Sequence, residues 1–325
     1  MTKKAIQFGV SRTALGTLAG VMLAVVGLGV TTAGQGGQGQ QGTGDSGALA
    51  VWGGDSANQI TDAPVGEFSA IAKGGAYQGL AIRSDGTLAL WGGYQDQFPV
   101  PPVPAAIASE EFVFAALGRT FALAIRPDGT VVGWGDNSFG QLNVPAGVRF
   151  EAVAAGNSHS IGLAEDGTLR GWGLNNFGQT NVPTGRFTEI AARVHYTLAL
   201  RDDGTLFGWG ASPDGIFVEW TPDGYGHFYV ADRKFVGIAA GNVHALAINS
   251  DRTLAAWGNN SFGALAGPSG ERFKEVGAGL GYSVGITRDG RLVAWGDNTY
   301  GQHQVPAGKF DSLSAVAFHA AAIRH

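Results

Sequence analysis

The dipeptide Trp-Gly recurs at nearly even intervals, and this periodicity restricts the possible folds more than any other feature of the chain. The seven pairs begin at Trp52, Trp91, Trp134, Trp172, Trp209, Trp257 and Trp295. Their mean spacing is about 40 residues, which is the length of one four-stranded propeller blade. The periodicity therefore predicts a repeat protein whose units cannot bury their apolar faces alone.

A second aromatic residue recurs between the Trp-Gly pairs, at a fixed distance before each one. The distance from this Phe to the next Trp is 23 residues in the first unit and 22 in the five that follow, whereas the distance from each Trp to the next Phe varies from 15 to 26. A constant core joined by variable connectors is typical of a packed unit displayed on loops. The recurring residues are Phe68, Phe112, Phe150, Phe187, Phe235, Phe273 and Phe310.

The constant segment divides into short apolar strands separated by turns. An Asp-Gly pair separates the second strand from the third in five units, and Gly supplies the positive φ that tight hairpins need. One unit departs from this pattern with Asp251-Arg252, so its turn is expected to be strained or of another type. The segment "GQLNVP" is expected to hold a fourth, outer strand, because Pro suits a sheet edge.

The two ends of the chain complement each other. The last unit stops after "AVAFHAAAIRH", without its Trp-Gly strand, and the first ordered segment, "GALAVWG" at 47–53, is such a strand with nothing before it. We therefore predict an all-β fold, a seven-bladed β-propeller over residues 47–325, closed by pairing of the N-terminal strand with the C-terminal blade. Closure removes the exposed sheet edges that invite aggregation.

The N-terminal segment is typical of an export signal. Lys3, Lys4 and Arg12 precede an apolar run from Ala14 to Val30. Residues 1–33 are therefore expected to be a signal peptide or, if uncleaved, an N-terminal membrane anchor, followed by a flexible Gly/Gln-rich linker over 34–46. The predicted location is secreted or periplasmic, at the cell envelope.

The repeat "IAAGxxHxLAxxxDGTLxxWGxNxxGQ" resembles that of the regulator-of-chromosome-condensation propeller family. The spacing "WGDNxxGQxxVPxG" is similar to its bacterial secreted branch, which includes propellers that inhibit β-lactamases. The resemblance covers about residues 47–325 and implies the fold. For the inhibitor branch it implies binding through aromatic side chains at the turns matching "GNSH", where this chain offers Phe318 and His195. For the eukaryotic members it implies nucleotide exchange on a nuclear GTPase and chromatin binding.

Composition excludes several kinds of function. The chain has no Cys, so disulfides and thiol chemistry are excluded. Loss of the signal would change the formal net charge from −5 to about −8, which disfavours nucleic-acid binding. Motifs for nucleophilic, zinc or phosphate-binding enzymes are missing from the sequence, so we expect neither catalysis nor a metal or cofactor.

One repeat position carries an aromatic or imidazole side chain in every unit. These seven side chains either fill the space between neighbouring blades or form a ring that faces a ligand. We name this position the His slot and assign to it Tyr77, Phe121, His159, Tyr196, His244, Tyr282 and His319.

The two long connectors are the most asymmetric segments. The first connector, residues 94–111, contains a Pro run that is expected to be stiff. The second connector, residues 212–234, is about 11 residues longer than the shortest ones. It forms either a local hairpin that covers its own blade or a recognition surface. Its aromatic and imidazole residues are Phe217, Trp220, Tyr225, His227, Phe228 and Tyr229.

These observations favour a non-enzymatic, exported and monomeric propeller that binds a protein or an envelope polysaccharide. The second connector, the His-slot residues and Phe318 are the candidate binding residues. The first alternative is an inhibitor of a secreted or envelope enzyme of the β-lactamase or transpeptidase type. A guanine-nucleotide exchange factor is a further alternative, which the export signal and acidic charge disfavour.

Overall fold

All the regular elements that the computed structural model describes are β-strands. The structure describes residues 47–75, 77–93, 100–211, 219–220, 226–230 and 233–325. The predicted signal (1–33) and linker (34–46) lie outside the described residues. In the described ranges, no helix has the length and apolar character needed to cross a membrane.

The described strands number 24 and form seven sheets. In chain order they are β1 (Leu49–Gly53), β2 (Phe68–Ile71), β3 (Lys73–Gly74), β4 (Gln78–Arg83), β5 (Leu88–Gly92), β6 (Phe114–Leu117), β7 (Phe121–Ile125), β8 (Val131–Gly135), β9 (Phe150–Ala155), β10 (His159–Ala164), β11 (Leu169–Gly173), β12 (Phe187–Arg193), β13 (Tyr196–Arg201), β14 (Leu206–Gly210), β15 (Glu219–Trp220), β16 (Gly226–Val230), β17 (Phe235–Ala240), β18 (His244–Asn249), β19 (Leu254–Gly258), β20 (Phe273–Ala278), β21 (Tyr282–Thr287), β22 (Leu292–Gly296), β23 (Phe310–Ala315) and β24 (His319–Arg324).

Each sheet contains one blade of antiparallel strands, and the blades are numbered here in chain order. Blade 1 contains β2, β4 and β5, blade 2 β6–β8, blade 3 β9–β11, blade 4 β12–β16, blade 5 β17–β19, blade 6 β20–β22, and blade 7 β23, β24 and β1. The short strand β3 leaves blade 1 to pair in parallel with β6 of blade 2. From blade 2 to blade 7 the first strands of successive blades contact each other, β2 contacts β23, and β3 and β4 contact β6. The predicted all-β propeller is confirmed.

The N-terminal strand completes the last blade. Strand β1 pairs with β24 in antiparallel register, from Leu49 opposite Ile323 to Gly53 opposite His319. Next to this pairing, the backbone N–H of Gly47 donates to the carbonyl of Arg324 at 3.0 Å. The two ends of the chain thus share one sheet, as the incomplete repeats at the termini predict.

The recurring aromatic residues form the apolar interior. All seven recurring Phe side chains are buried, and in blade 3 Phe150 lies 5.8 Å from the ring of Trp172. The indole N–H of Trp172 donates to the carbonyl of Gln141, in the connector from the preceding blade, at 2.8 Å. The recurring Phe thus packs within its own blade, and the Trp ties that blade to the one before it.

The Asp-Gly turns are built as predicted. In blade 3 the Oδ1 atom of Asp166 accepts the backbone N–H and the hydroxyl of Thr168, at 2.9 and 2.6 Å. Gly167 has a φ of +84°, a conformation that L side chains rarely adopt. Blade 5 keeps the same turn with Arg252 in the Gly position at a φ of +75°, so the strain expected of this turn is present.

Two connector predictions have different outcomes. The predicted outer strand at "GQLNVP" is wrong, because residues 138–142 form turns in which the Oδ1 atom of Asn137 accepts the N–H of Leu142 at 2.8 Å. For the second connector, the backbone forms the local hairpin that was one of the two alternatives. Strands β15 and β16 pair with each other, and β16 extends blade 4 by pairing with β14.

We predict that Arg252→Gly stabilises the protein, because Gly adopts a positive φ without the steric cost that Arg pays. The free energy of unfolding should rise by about 1 kcal/mol, measured by urea denaturation. The matched control is Gly167→Ala in the equivalent turn of blade 3, which should destabilise the protein by a similar amount. A loss of stability in Arg252→Gly would contradict this account of the turn.

Candidate functional site

The structure corrects the assignment of the His slot in blade 1. In the other six blades the slot residue pairs with the Gly of Trp-Gly, as His159 pairs with Gly173. In blade 1 the partner of Gly92 is Gln78 and not Tyr77. One extra residue in the hairpin before β4 displaces Tyr77 to the position before the slot, which Phe318 occupies in blade 7.

The remaining slot residues lie between blades, out of contact with solvent. Tyr196 donates its hydroxyl to the carbonyl of Gly241 in blade 5 at 2.7 Å, and Tyr282 donates to the carbonyl of Val316 in blade 7 at 3.0 Å. Of the two alternatives for the His slot, these side chains therefore follow the first, because they fill the space between neighbouring blades and form no exposed ring. The fully buried slot residues are Phe121, His159, Tyr196, His244, Tyr282 and His319.

Burial keeps the slot histidines neutral. Desolvation lowers the pKa of His159 to about 3, with a further contribution from His195. The Nε2 atom of His159 lies 3.1 Å from the hydroxyl of Thr197 in the next blade. Desolvation also lowers the pKa values of His244 and His319, to about 4 and about 3. These imidazoles are polar packing groups whose role is to join blades.

The exposed aromatic side chains lie at one repeat position, five residues after the Trp in four of the seven Trp-Gly pairs. Phe139, Phe177, Phe262 and Tyr300 are 52%, 38%, 61% and 47% exposed, and they are the exposed large aromatic residues among the described side chains. All four follow a third strand, so they lie at the end of the propeller that carries the hairpins between first and second strands. This end is the candidate site.

Side chains at the hairpins before the slot meet these exposed aromatics. The ring of Phe177 lies 5.2 Å from that of His195, and the ring of Tyr300 lies 5.3 Å from that of Phe318. Tyr77 lies 5.7 Å from Phe318 on the other side, so three aromatic rings are contiguous across blades 6, 7 and 1. We name the residues Tyr77, Phe139, Phe177, Phe262, Tyr300 and Phe318 the aromatic face.

A buried Gln two residues further along holds three of the four exposed aromatics in place. The Oε1 atom of Gln302, which is 1% exposed, accepts the backbone N–H of Tyr300 at 2.9 Å. Gln141 and Gln179 hold Phe139 and Phe177 in the same way, at 2.9 and 2.8 Å. The exposed rings are therefore mounted on ordered turns, so little conformational entropy is lost when they bind a partner.

The second connector lies partly within the described structure. Phe217 and Tyr225 lie outside the described residues. Trp220 lies on β15, and His227, Phe228 and Tyr229 lie on β16, at the outer edge of blade 4. The connector and the aromatic face are therefore separate candidates for binding.

The described residues show no group of three or more His, Asp or Glu side chains that could hold a metal ion. The three slot histidines belong to three different blades. The Nε2 atoms of His159 and His244 bond a hydroxyl of the next blade. The candidate site thus consists of aromatic rings on ordered turns, and its chemistry is that of a contact surface.

Sequence analysis missed most of this surface, although two signals were present. An aromatic residue stands five positions after Trp134, Trp172, Trp257 and Trp295, beyond the strands on which the repeat was defined. The Phe-to-Trp distance of 23 in the first unit, against 22 elsewhere, also indicates the extra residue that shifts Tyr77.

Comparison with known proteins places this molecule among the β-propellers. The model of the regulator of chromosome condensation (RCC1) repeat matches four segments, residues 112–141, 150–179, 235–264 and 273–302. The segments that are similar to this repeat fall on blades 2, 3, 5 and 6. A search of the curated proteins found no match.

Solved structures show the same fold at low sequence identity. Prp20p from Saccharomyces cerevisiae, studied for its binding to Gsp1p and histones, has a TM-score of 0.71 at 16% identity, covering 86% of this chain and 92% of its own. Human WBSCR16 has a TM-score of 0.63 at 18% identity, with coverage of 80% and 87%. The ectodomain of the Arabidopsis thaliana receptor kinase ACR4 has a TM-score of 0.59 at 21% identity, with coverage of 80% and 95%. At these identities the likeness shows the fold alone.

We predict that His159→Phe makes the protein less sensitive to acid. Because the folded-state pKa of His159 lies below the ordinary value of 6.5, its stabilising contribution is complete above pH 6.5 and is lost as the pH falls toward 3. From pH 7.5 to pH 5 the variant should lose about 2 kcal/mol less unfolding free energy than the wild type, measured by urea denaturation. Phe121 already fills this position in blade 2.

The control for this experiment is His303→Phe, which changes a solvent-exposed imidazole. It should leave the pH dependence of stability as in the wild type. Equal acid sensitivity of the wild type and His159→Phe would mean that His159 is not buried as a neutral group.

Proposed function

We propose that the protein is a non-enzymatic binding module that contacts a protein partner through the aromatic face. The observation that carries this proposal is the concentration of exposed aromatic rings at one end of the propeller. Aromatic side chains bury large areas at a small entropic cost, and for this reason they dominate the energetic centres of protein interfaces.

The distribution of the rings around the face supports a macromolecular partner. Tyr77, Phe318 and Tyr300 form one contiguous patch, while Phe262, Phe177 and Phe139 extend the surface across other blades. A small ligand would need a concave pocket, whereas a ring of separate aromatic anchors suits the broad surface of another protein. An envelope polysaccharide is the alternative partner, since sugar rings also stack on aromatic side chains.

We propose further that the protein acts outside the cytoplasm, in the bacterial secreted branch of the resembled family. The basic and apolar character of residues 1–33 supports export, at the cell envelope or beyond it. The exchange-factor alternative gains little support, because the net charge is acidic.

Inhibition of an envelope or secreted enzyme is the second candidate function. The corrected register favours it, because Tyr77 joins Phe318 at the hairpin position through which the resembled inhibitors bind. Tyr300 adds a third ring to the same patch, 47% exposed and in contact with Phe318. The enzymes to assay are β-lactamases and cell-wall transpeptidases.

A triple variant, Tyr77→Ser, Tyr300→Ser and Phe318→Ser, tests the aromatic face. Loss of these three rings of the aromatic face should weaken partner binding by about 100-fold or more while the fold is kept, since interface aromatics contribute about 1 kcal/mol or more each. The assay is affinity capture from envelope extract, in parallel with purified cell-wall polysaccharide and with inhibition assays on β-lactamases and transpeptidases.

The control variant, Val65→Ser with Val113→Ser, removes exposed apolar side chains that lie away from this face. It should capture and inhibit as the wild type does. Undiminished binding by the aromatic triple variant, with circular dichroism showing an intact fold, would refute the assignment of this face. A variant with residues 215–226 deleted tests the second connector separately. If it loses the partner while the aromatic triple variant keeps it, the connector and not the aromatic face binds.

A further inference from the structure

A cavity runs along the propeller axis, walled by the first strands of the blades. Its volume is ≈ 110 Å³. Small side chains form much of the wall, among them Ala154, Ala191 and Ala239. At the end with the Asp-Gly turns it reaches Arg252 and Val236, of which Val236 is 42% exposed. This end is opposite to the aromatic face.

Charged side chains that break the repeat converge on this cavity. Glu189 and Glu275 stand two residues after the recurring Phe of blades 4 and 6, where blades 3 and 5 have Ala152 and Gly237. Lys73 enters from the irregular hairpin of blade 1. Since the repeat itself needs none of these charges, their common location indicates a function beyond folding.

Glu275 and Lys73 neutralise each other. The Nζ atom of Lys73 forms an ion pair with Oε1 of Glu275 and donates to the carbonyl of Leu313. The other carboxylate oxygen of Glu275 accepts the backbone N–H of Leu313 at 3.3 Å. This pair is saturated and leaves little for a ligand to bind.

Glu189 is not saturated. Its Oε1 atom accepts the backbone N–H of Ile238 at 3.3 Å, and no ion pair of the described residues includes it. Burial raises the pKa of Glu189 to about 8, which the Ile238 N–H and Lys73 oppose and Glu275 reinforces. A cationic group placed beside this carboxyl would therefore be stabilised and would displace its proton.

Arg252 supplies an opposite charge at the open end of the cavity. Its backbone is strained at a φ of +75°, in a turn where five other blades have Gly. The ion pairs of the described residues do not include Arg252. The second cation at this end, Lys274, is held by Asp311 at 2.9 Å. Backbone strain retained at one residue is typical of a functional position.

A buried hydroxyl completes the polar lining. Ser314, on the first strand of blade 7, lines the cavity and is only 4% exposed. Its Oγ atom has no hydrogen-bond partner in the structure. Buried hydroxyls are normally satisfied, so this atom has an unfilled capacity to bond a ligand.

We infer that the axial cavity binds a small zwitterionic amino acid, with its ammonium group at Glu189, its carboxylate at Arg252 and a further hydrogen bond from Ser314. An apolar cavity of about 150 Å³ holds benzene, so ≈ 110 Å³ suits a ligand of five or six non-hydrogen atoms. Glycine and β-alanine have this size and both charges. This site is separate from the aromatic face and needs no protein partner.

Isothermal titration calorimetry on the full chain tests the inference with three matched probes. β-Alanine carries both charges, propylammonium carries only the cation, and propionate carries only the anion. β-Alanine should bind at least about tenfold more tightly than either single-charge probe. If propylammonium binds as tightly as β-alanine, Arg252 does not bind the carboxylate and the proposed site is wrong. The absence of β-alanine binding at about 10 mM would also overturn the proposal.

Variants assign the two ends of the ligand. Glu189→Gln and Arg252→Gly should each weaken β-alanine binding at least about tenfold, whereas Arg252→Lys should retain part of it. Glu151→Gln, which changes an exposed carboxylate outside the cavity, is the control and should bind as the wild type does. Because Arg252→Gly should also be more stable than the wild type, loss of binding cannot be attributed to unfolding. Wild-type affinity in that variant would overturn the proposal.

Proton release gives a second readout at Glu189. At pH 7, titrations in buffers of different ionisation enthalpy should show that β-alanine expels a proton from the wild type, and that Glu189→Gln expels none. The other charged groups that line the cavity are Lys73, Glu275, Arg252 and Lys274. Equal proton release by the wild type and Glu189→Gln would contradict the placement of the ammonium group.

Discussion

The fold depends on one interaction that is repeated around the ring, namely the hydrogen bond from a buried Trp indole to the connector of the preceding blade. Trp52 donates to Gln302, Trp91 to Gln59 and Trp209 to Gln179, at 2.9 to 3.0 Å. Each of these Trp residues adds a large buried ring and a satisfied polar atom to a blade junction. Ala264 stands in place of the Gln before blade 6, and its backbone carbonyl still accepts the indole N–H of Trp295. The hydrogen bond therefore depends on the backbone of the connector and not on the Gln side chain.

The same connector joins the architecture to the candidate site. The main chain of Gln302 holds Trp52, and its side chain holds the backbone of Tyr300, whose ring is exposed. Rigid blade packing therefore fixes the exposed rings before any partner arrives. At the other end of the axis, Arg252 keeps a strained backbone where the repeat has Gly. Residues of the repeat build the ring, and departures from it carry the charges and exposed surfaces that suit binding.

Most of the fold could be predicted from sequence, because the Trp, Phe and Asp-Gly positions report local packing that every blade repeats. The half-units at the two ends likewise predicted the pairing of β1 with β24. The site was harder to predict, since the burial of His159 and the exposure of Phe262 depend on which way each side chain faces. The convergence of Lys73, Glu189 and Arg252 on one axis is a property of ring closure and is invisible in a linear repeat.

The central claim is that the N-terminal strand is an integral part of the ring and carries the same blade-to-blade bond as the other strands. Residue-resolved amide hydrogen exchange tests this claim most directly, because a strand that opens only with the whole molecule exchanges at the rate of global unfolding. The account predicts that the amides of Ala50 and Trp52, which face β24, exchange as slowly as those of Ala321 and Ile323, which face β23. Exchange of the β1 amides within minutes, while β24 stays protected by its pairing with β23, would contradict it.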